Sequence, residues 1–189
     1  TQKAVGVDLT LGARILGYWR ASATYNIQRV NISYAAGSTL SSLYGSGTFY
    51  ESSITPMIYR STIDSPLTPT RGTLYSASVK FAGSFLGGDI NMIKPQFEFA
   101  HYQPFIANHV IGVHFEYDIM KTYHDSATVP YWEKAFLGGE RSIRGYEVYS
   151  IGPRNESGYN LGGDKSFIAN IEYIIQNGRA SSRERGYNS

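Results

Sequence analysis

The chain has 189 residues, enough for one domain, with a formal net charge of +2, 17% charged and 14% aromatic residues, 16 Tyr, 20 Gly and no Cys. So little charge, nearly balanced, leaves no electrostatic footprint for nucleic acid. The lack of cysteine removes disulfide frameworks and thiolate metal sites. No apolar run reaches the ~18 residues of a membrane-spanning helix, and the N-terminus shows no basic stretch followed by an apolar core, so no signal peptide is expected. Transmembrane β-strands stay open, because they hide in alternating segments of about ten residues.

From Val5 the odd positions are apolar (Val5, Val7, Leu9, Leu11) and the even ones small or polar. A short turn is expected over Arg14 to Gly17, after which Trp19, Ala21, Ala23, Tyr25 and Ile27 alternate with Arg20, Ser22, Thr24, Asn26 and Gln28. Period two sustained over this length predicts strands. The Gly/Ser-rich stretch Ala35 to Gly47 reads as a loop. A less regular strand follows over Thr48 to Thr62, where Pro56 suggests an edge-like or bulged position.

Asp64 to Gly72 is dense in turn residues. Beyond it Tyr75, Ala77, Val79, Phe81 and Phe85 share one face, with Ser76, Ser78, Lys80 and Ser84 on the other. Gly87, Gly88 and Asp89 predict a tight hairpin, and the returning strand sets Phe97 and Phe99 against Lys94, Gln96 and Glu98. A turn is expected at Gln103 and Pro104. His109, Ile111, Val113, Phe115, Tyr117 and Ile119 then alternate with polar residues, and a last strand places Phe167, Ala169, Ile171, Tyr173 and Ile175 opposite Ser166, Asn170 and Glu172. This makes about seven strands with no amphipathic helix. The tail from Asn177 to Ser189 shares none of the pattern.

A sandwich and a membrane barrel both alternate. Here the polar faces carry mostly Ser, Thr, Asn, Gln and Gly, and the apolar faces carry large aromatics in nearly every strand, which suits a lipid-facing band around a hydrated lumen. Closure also removes the unpaired edges that long strands would otherwise expose in lipid. The expected fold is all-β, an antiparallel transmembrane β-barrel with a long inserted loop.

That loop runs from about Lys121 to Asp164. Loops of this length in compact domains are functional or disordered, and its aromatics, arginines and paired glycines argue against disorder. Gly138, Gly139, Glu140, Ile143, Arg144, Gly145 and Tyr146 form a motif fit to fold back and dock through one charged tip. Glu172 falls on the polar, lumen-facing parity of its strand, as do Glu116 and Asp118 on the strand entering the loop. An arginine inside a narrow lumen needs a carboxylate partner. Arg144 with Glu172 is the candidate pair, with Glu116 and Asp118 as secondary acidic candidates, while the residues alone equally allow an exposed loop arginine and a solvated wall glutamate. Arg141, three positions upstream, is the alternative docked residue.

Other chemistry finds no support. His101, His109, His114 and His124 form no ligand set. The Gly158 to Gly163 stretch has Asp164 where a phosphate loop needs lysine, and no helix follows. No serine has a base and oxyanion context, so neither an enzyme nor a cofactor is expected.

The run from Phe136 to Tyr146, then Ser150 to Arg154, Leu161 to Asp164 and Ile171 to Tyr173, resembles the sixth-loop region of the Omp85 superfamily, in its surface antigen D15 branch of outer-membrane assembly factors. Pro69, Thr70, Arg71 and Gly72 ahead of a long strand resemble the same family's barrel. The resemblance covers Val5 to Gln176. It implies a sixteen-stranded barrel preceded by POTRA repeats and ending in an aromatic residue, with the loop arginine paired to an acidic residue of the inner wall, which makes Arg144 with Glu172 the expected pair. No POTRA segment is present, about four strands beyond Glu172 are wanting and Asn188 and Ser189 end the chain, so residues 1–176 are expected to be part of such a barrel and 177–189 a polar tail outside its pattern.

The function that the resemblance implies is folding and insertion of other β-barrels into the outer membrane of a Gram-negative-type bacterium. Its expected partners are nascent barrel proteins, outer-membrane lipids and accessory assembly lipoproteins. A translocation pore of the two-partner secretion or TamA-like kind is the alternative, as is a small autonomous barrel with a structural or porin role.

Overall fold

A computed structural model describes residues 2–34, 46–106, 108–123, 129–140 and 142–176. Seven long strands follow one another in sequence: β1 (Gln2–Leu16), β2 (Trp19–Ile32), β3 (Gly47–Ser61), β4 (Gly72–Ala82), β5 (Met92–Ile106), β6 (His109–Ile119) and β8 (Lys165–Ile175). Each pairs antiparallel with the next. A two-residue strand, β7 (Lys121–Thr122), pairs with β5. Most of the strands carry sustained alternation, β3 being the least regular, and a one-residue slip would turn every apolar side chain to the wrong face. The antiparallel all-β fold is therefore present as an open sheet. β1 and β8 are its two edges among the described residues.

The two faces differ as the alternation requires. On one, Tyr75, Phe99, Phe115 and Phe167 form a row across four strands, with ring centroids 5.2, 6.1 and 6.4 Å apart. Val7, Leu9, Ile27, Phe97, Tyr117, Ile171 and Tyr173 stand exposed on the same face. The other face receives the long loop. The buried apolar cluster, Ala82, Ile90, Met92, Met120 and Val129, packs at the long-loop end, with Phe49, Trp132 and Ala135 against it.

Local departures from expectation fall at turns and at prolines. The first turn falls at Gly17 and Tyr18, with a register shift between Arg14 and Leu16. Pro56 lies on neither an edge nor a bulge. It pairs with Ala23 of β2, and the β3–β4 ladder skips Thr55 and Pro56 while Ile54↔Phe81 and Met57↔Ser78 keep one register. A missing N–H is absorbed by an interrupted ladder on one side.

Gly87 to Asp89 do not make a tight hairpin. β4 ends at Ala82 and the connection lies against β3, with Asp89 N donating to Tyr50 O (2.8 Å) and Tyr50 N donating to Asp89 Oδ2 (2.8 Å). Asp89 is spent on β3, so it cannot close a two-residue turn, and Phe85 sits exposed in the connection instead of extending β4. β5 likewise runs past Pro104 to Ile106 with a register shift, because pairing resumes beyond the proline. Residues 35–45 of the predicted Gly/Ser loop and the 177–189 tail lie outside the described residues.

Candidate functional site: the docked loop

Past Ile119 the chain leaves β6 without losing register. Met120 N donates to Asp164 O (2.7 Å) while Lys121 and Thr122 pair back to β5. The loop then builds a small scaffold of its own. Ala135 and Gly163 exchange backbone hydrogen bonds (2.9 and 2.8 Å), Leu137 bridges Ile151, Gly139 bridges Ile143 and Arg154 bridges Asn160. Lys134 Nζ lies 3.1 Å from Asp164 Oδ1 at its base.

Gly138 explains why the motif opens with glycine. Its φ is +112°, and a Cβ there would sit 2.2 Å from Glu147 O. Only glycine fits both constraints. Gly138 N donates to Ser142 Oγ (2.8 Å), Gly139 N to Tyr146 O (3.0 Å) and Asn170 Nδ2 of β8 to Ser142 O (3.1 Å), which ties the motif to the wall.

The tip brings Arg144 Nη1 to 2.9 Å from Glu172 Oε1 on β8. Glu172 lies opposite Gly112 of β6. The open space at Gly112 lets the Tyr102 ring lie over it, since a Cβ there would be 2.8 Å from that ring and 3.8 Å from Glu172 Cβ. Tyr102, Gly112 and Glu172 thus make one inner-wall platform beneath Arg144, lining a cavity of about 1130 Å³ with Ile143 and Glu140.

The pair is more open than a desolvated lumen arginine. The Arg144 side chain is 71% exposed and that of Glu172 31%. The sheet ends at β8, so no wall covers the far side of the guanidinium among the described residues. Within this chain an ion pair this exposed contributes about 0–1 kcal/mol to stability, not the several expected of a buried one.

Glu116 and Asp118 face the loop but are not brought to Arg144. They line a separate cavity of about 250 Å³ with Lys94, Lys134, Ser142 and Ser166, and Asp118 Oδ2 accepts a hydrogen bond from Ser166 Oγ (3.4 Å). Gly145 and Tyr146 lie exposed at the tip. Arg141 and His124 are outside the described residues. The other histidines have separate neighbours: Thr73 Oγ1 for His101 (2.9 Å), the Tyr173 hydroxyl for His109 (2.6 Å) and Glu98 Oε1 for His114 (3.3 Å).

Sequence reasoning missed a second contact between loop and wall. Glu133, in a 3-10 turn over Tyr131–Glu133, reaches Lys80 on β4 and Lys94 on β5 at 2.7 and 3.2 Å. A signal was present: Lys80 and Lys94 share the polar parity and face each other across the ladder, and like charges in that position call for a counter-ion.

The family described as Omp85 superfamily domain matches residues 1–185. The outer membrane protein assembly factor BamA of Nitratidesulfovibrio vulgaris is 39% identical over 116 residues, covering 61% of this chain and 14% of that protein. The sorting and assembly machinery component 50 homolog of Homo sapiens is 32% identical over 119 residues, covering 63% of this chain and 25% of that protein. The crystal structure of BamA from Haemophilus ducreyi lacking POTRA domains 1–3 superposes with a TM-score of 0.74 at 19% identity, over 98% of this chain and 39% of that one. The chain thus spans well under half the length of these relatives.

Proposed function

The chain belongs to the Omp85 superfamily, and we propose that it forms part of an integral outer-membrane barrel that folds and inserts other β-barrel proteins. The reading is supported by relatives named as assembly components in a bacterium and in an animal, and by a loop whose tip arginine reaches the inner wall of the same sheet. The higher identity to the bacterial protein favours the outer membrane of a Gram-negative-type bacterium over that of a mitochondrion.

The work is physical and non-enzymatic, with no cofactor. Nascent barrel proteins are the substrates, outer-membrane lipids the solvent and accessory lipoproteins the helpers. Nascent strands add to an open barrel edge through backbone hydrogen bonds, and the barrel locally thins the bilayer. Within this chain the Arg144–Glu172 pair braces the loop against the wall and does not touch the nascent strand.

Charge reversal in the full-length protein tests this. Arg144→Glu lowers insertion of a heat-modifiable barrel substrate into vesicles about fivefold, the factor that ~1 kcal/mol supports, and adding Glu172→Arg restores it. A harmless Arg144→Glu, or a failed rescue, removes the brace. Loss of secretion of a soluble substrate with barrel insertion unchanged replaces the assembly reading with a translocation pore.

A further inference from the structure

The most buried ionic contact of the loop is not at its arginine tip. Lys80 and Lys94 stand directly opposite each other on β4 and β5. Glu133 closes on them from the loop: Oε1 lies 2.7 Å from Lys80 Nζ, Oε2 lies 3.2 Å from Lys94 Nζ, and Lys94 Nζ also donates to the Glu133 carbonyl at 3.3 Å. Glu51 on β3 completes the group by pairing with Lys80 and accepting from Gln28 Nε2 of β2 at 2.9 Å. The Glu51 side chain has no exposed surface and that of Glu133 is 11% exposed. Two carboxylates and two ammoniums make a neutral quartet spanning three strands and the loop.

Lifting the loop would leave Glu51 with two facing lysines, a net positive wall site with one ammonium uncompensated. Breaking a buried ionic set from one side is much costlier than breaking an exposed pair. The residue beside Glu133 adds an apolar grip, since Trp132 packs on the Ala82–Met92–Met120 cluster with its ring 5.5 Å from Phe49.

We infer that Glu133 is the positioning residue that seats the loop, and that Glu51, Lys80 and Lys94 form its receptor on the wall. The charge sense is inverted relative to the tip: here the loop brings the carboxylate and the wall the cations. Glu133 is held at the long-loop end, beside the start of β5, and sets where the motif begins its descent toward Glu172. Arg144 reaches Glu172 because the chain upstream is already fixed. The inference concerns loop position and does not depend on the assembly reading.

This chain contributes no cysteine, so in the full-length protein, with any cysteine outside it replaced by serine, Ser142→Cys reports whether the motif lies against the wall. Its reaction with a membrane-impermeant maleimide is followed in vesicles, with heat-modifiability as the check on folding. Glu133→Gln raises the labelling rate about tenfold, and by more than Arg144→Ala does. Glu133→Lys raises it further, and Glu133→Lys with Lys94→Glu, which restores a neutral alternating set, brings it back. A Glu133→Gln rate within about twofold of the parent, a larger rise from Arg144→Ala, or a charge swap that folds without rescue would each overturn the inference. If Glu133→Lys alone fails to fold, the Glu133→Gln and swap variants still decide it.

Discussion

Among the described residues the loop forms ion pairs with the sheet at two places, and the two are built on opposite plans. At the tip one arginine reaches one glutamate, with the guanidinium mostly in the open. At the seat one loop carboxylate enters a group of two lysines and a buried glutamate, backed by an apolar cluster. The seat is a buried, multiply paired site whose loss leaves charge stranded. Within this chain the tip is an exposed single pair of small energetic weight whose importance lies in where it puts the motif. A recognisable motif and the strongest physical hold need not coincide.

The sharpest way to break this comparison is at the seat's buried member. Glu51→Ala leaves Lys80 and Lys94 facing each other with only Glu133 between them, and should destabilise the folded sheet by about 3 kcal/mol or more, read as a fall in the temperature of heat-modifiability. A shift no larger than that of Arg144→Ala would mean that the quartet is solvated and the contrast false.

Next comes the link between seat and tip. Gly138→Ala puts a Cβ 2.2 Å from Glu147 O at φ +112°, at a cost of about 1–3 kcal/mol. Faster hydrogen exchange at Leu137 and Ile151, with the β4–β5 amides unchanged, is the expected signature. Arg144→Ala should cost only ~0–1 kcal/mol of local stability, seen as exchange confined to Ser142 and its neighbours. Protection lost as far back as Ala135 would make the tip the true anchor.

The smallest effect belongs to the turn beneath the tip. The Asp64 carboxylate accepts from the Thr70 hydroxyl and amide and from the Arg71 amide, and these bonds, led by that hydroxyl, hold its pKa well below the usual carboxylate range. A depressed folded pKa contributes order that is fully present above the ordinary Asp value and is lost progressively as pH falls from there through the depressed one. Exchange at Thr70 and Arg71, corrected for intrinsic rate, should therefore stay constant from neutral pH down to about 4. Asp64→Asn should speed it at every pH, and a midpoint in the normal carboxylate range would show that the bonds do not persist in solution.

Much of the architecture was legible from side-chain parity. Val5 to Leu11, Tyr75 to Phe81 and Phe167 to Ile175 declare which face is apolar, and pairing of neighbours then follows from chain order. Strand ends were less legible, because Asp89 is taken up by Tyr50 of β3 and pairing resumes beyond Pro104, events that depend on partners distant in sequence. In the site, parity set Glu172, Glu116 and Asp118 on the same face, and the family resemblance singled out Arg144 with Glu172 and left the other two as secondary candidates. Which carboxylate the arginine meets depends on how far the loop descends, and that is a matter of three-dimensional path.

By itself, then, the sequence determined the period-two faces, the antiparallel order and the identity of the charged motif, since these rest on local alternation and covalent order. Only the tertiary structure decided that Glu133, Glu51, Lys80 and Lys94 form one neutral group. Their positions run from 51 to 133, and ionic interactions fall off over a few ångströms whatever the distance along the chain.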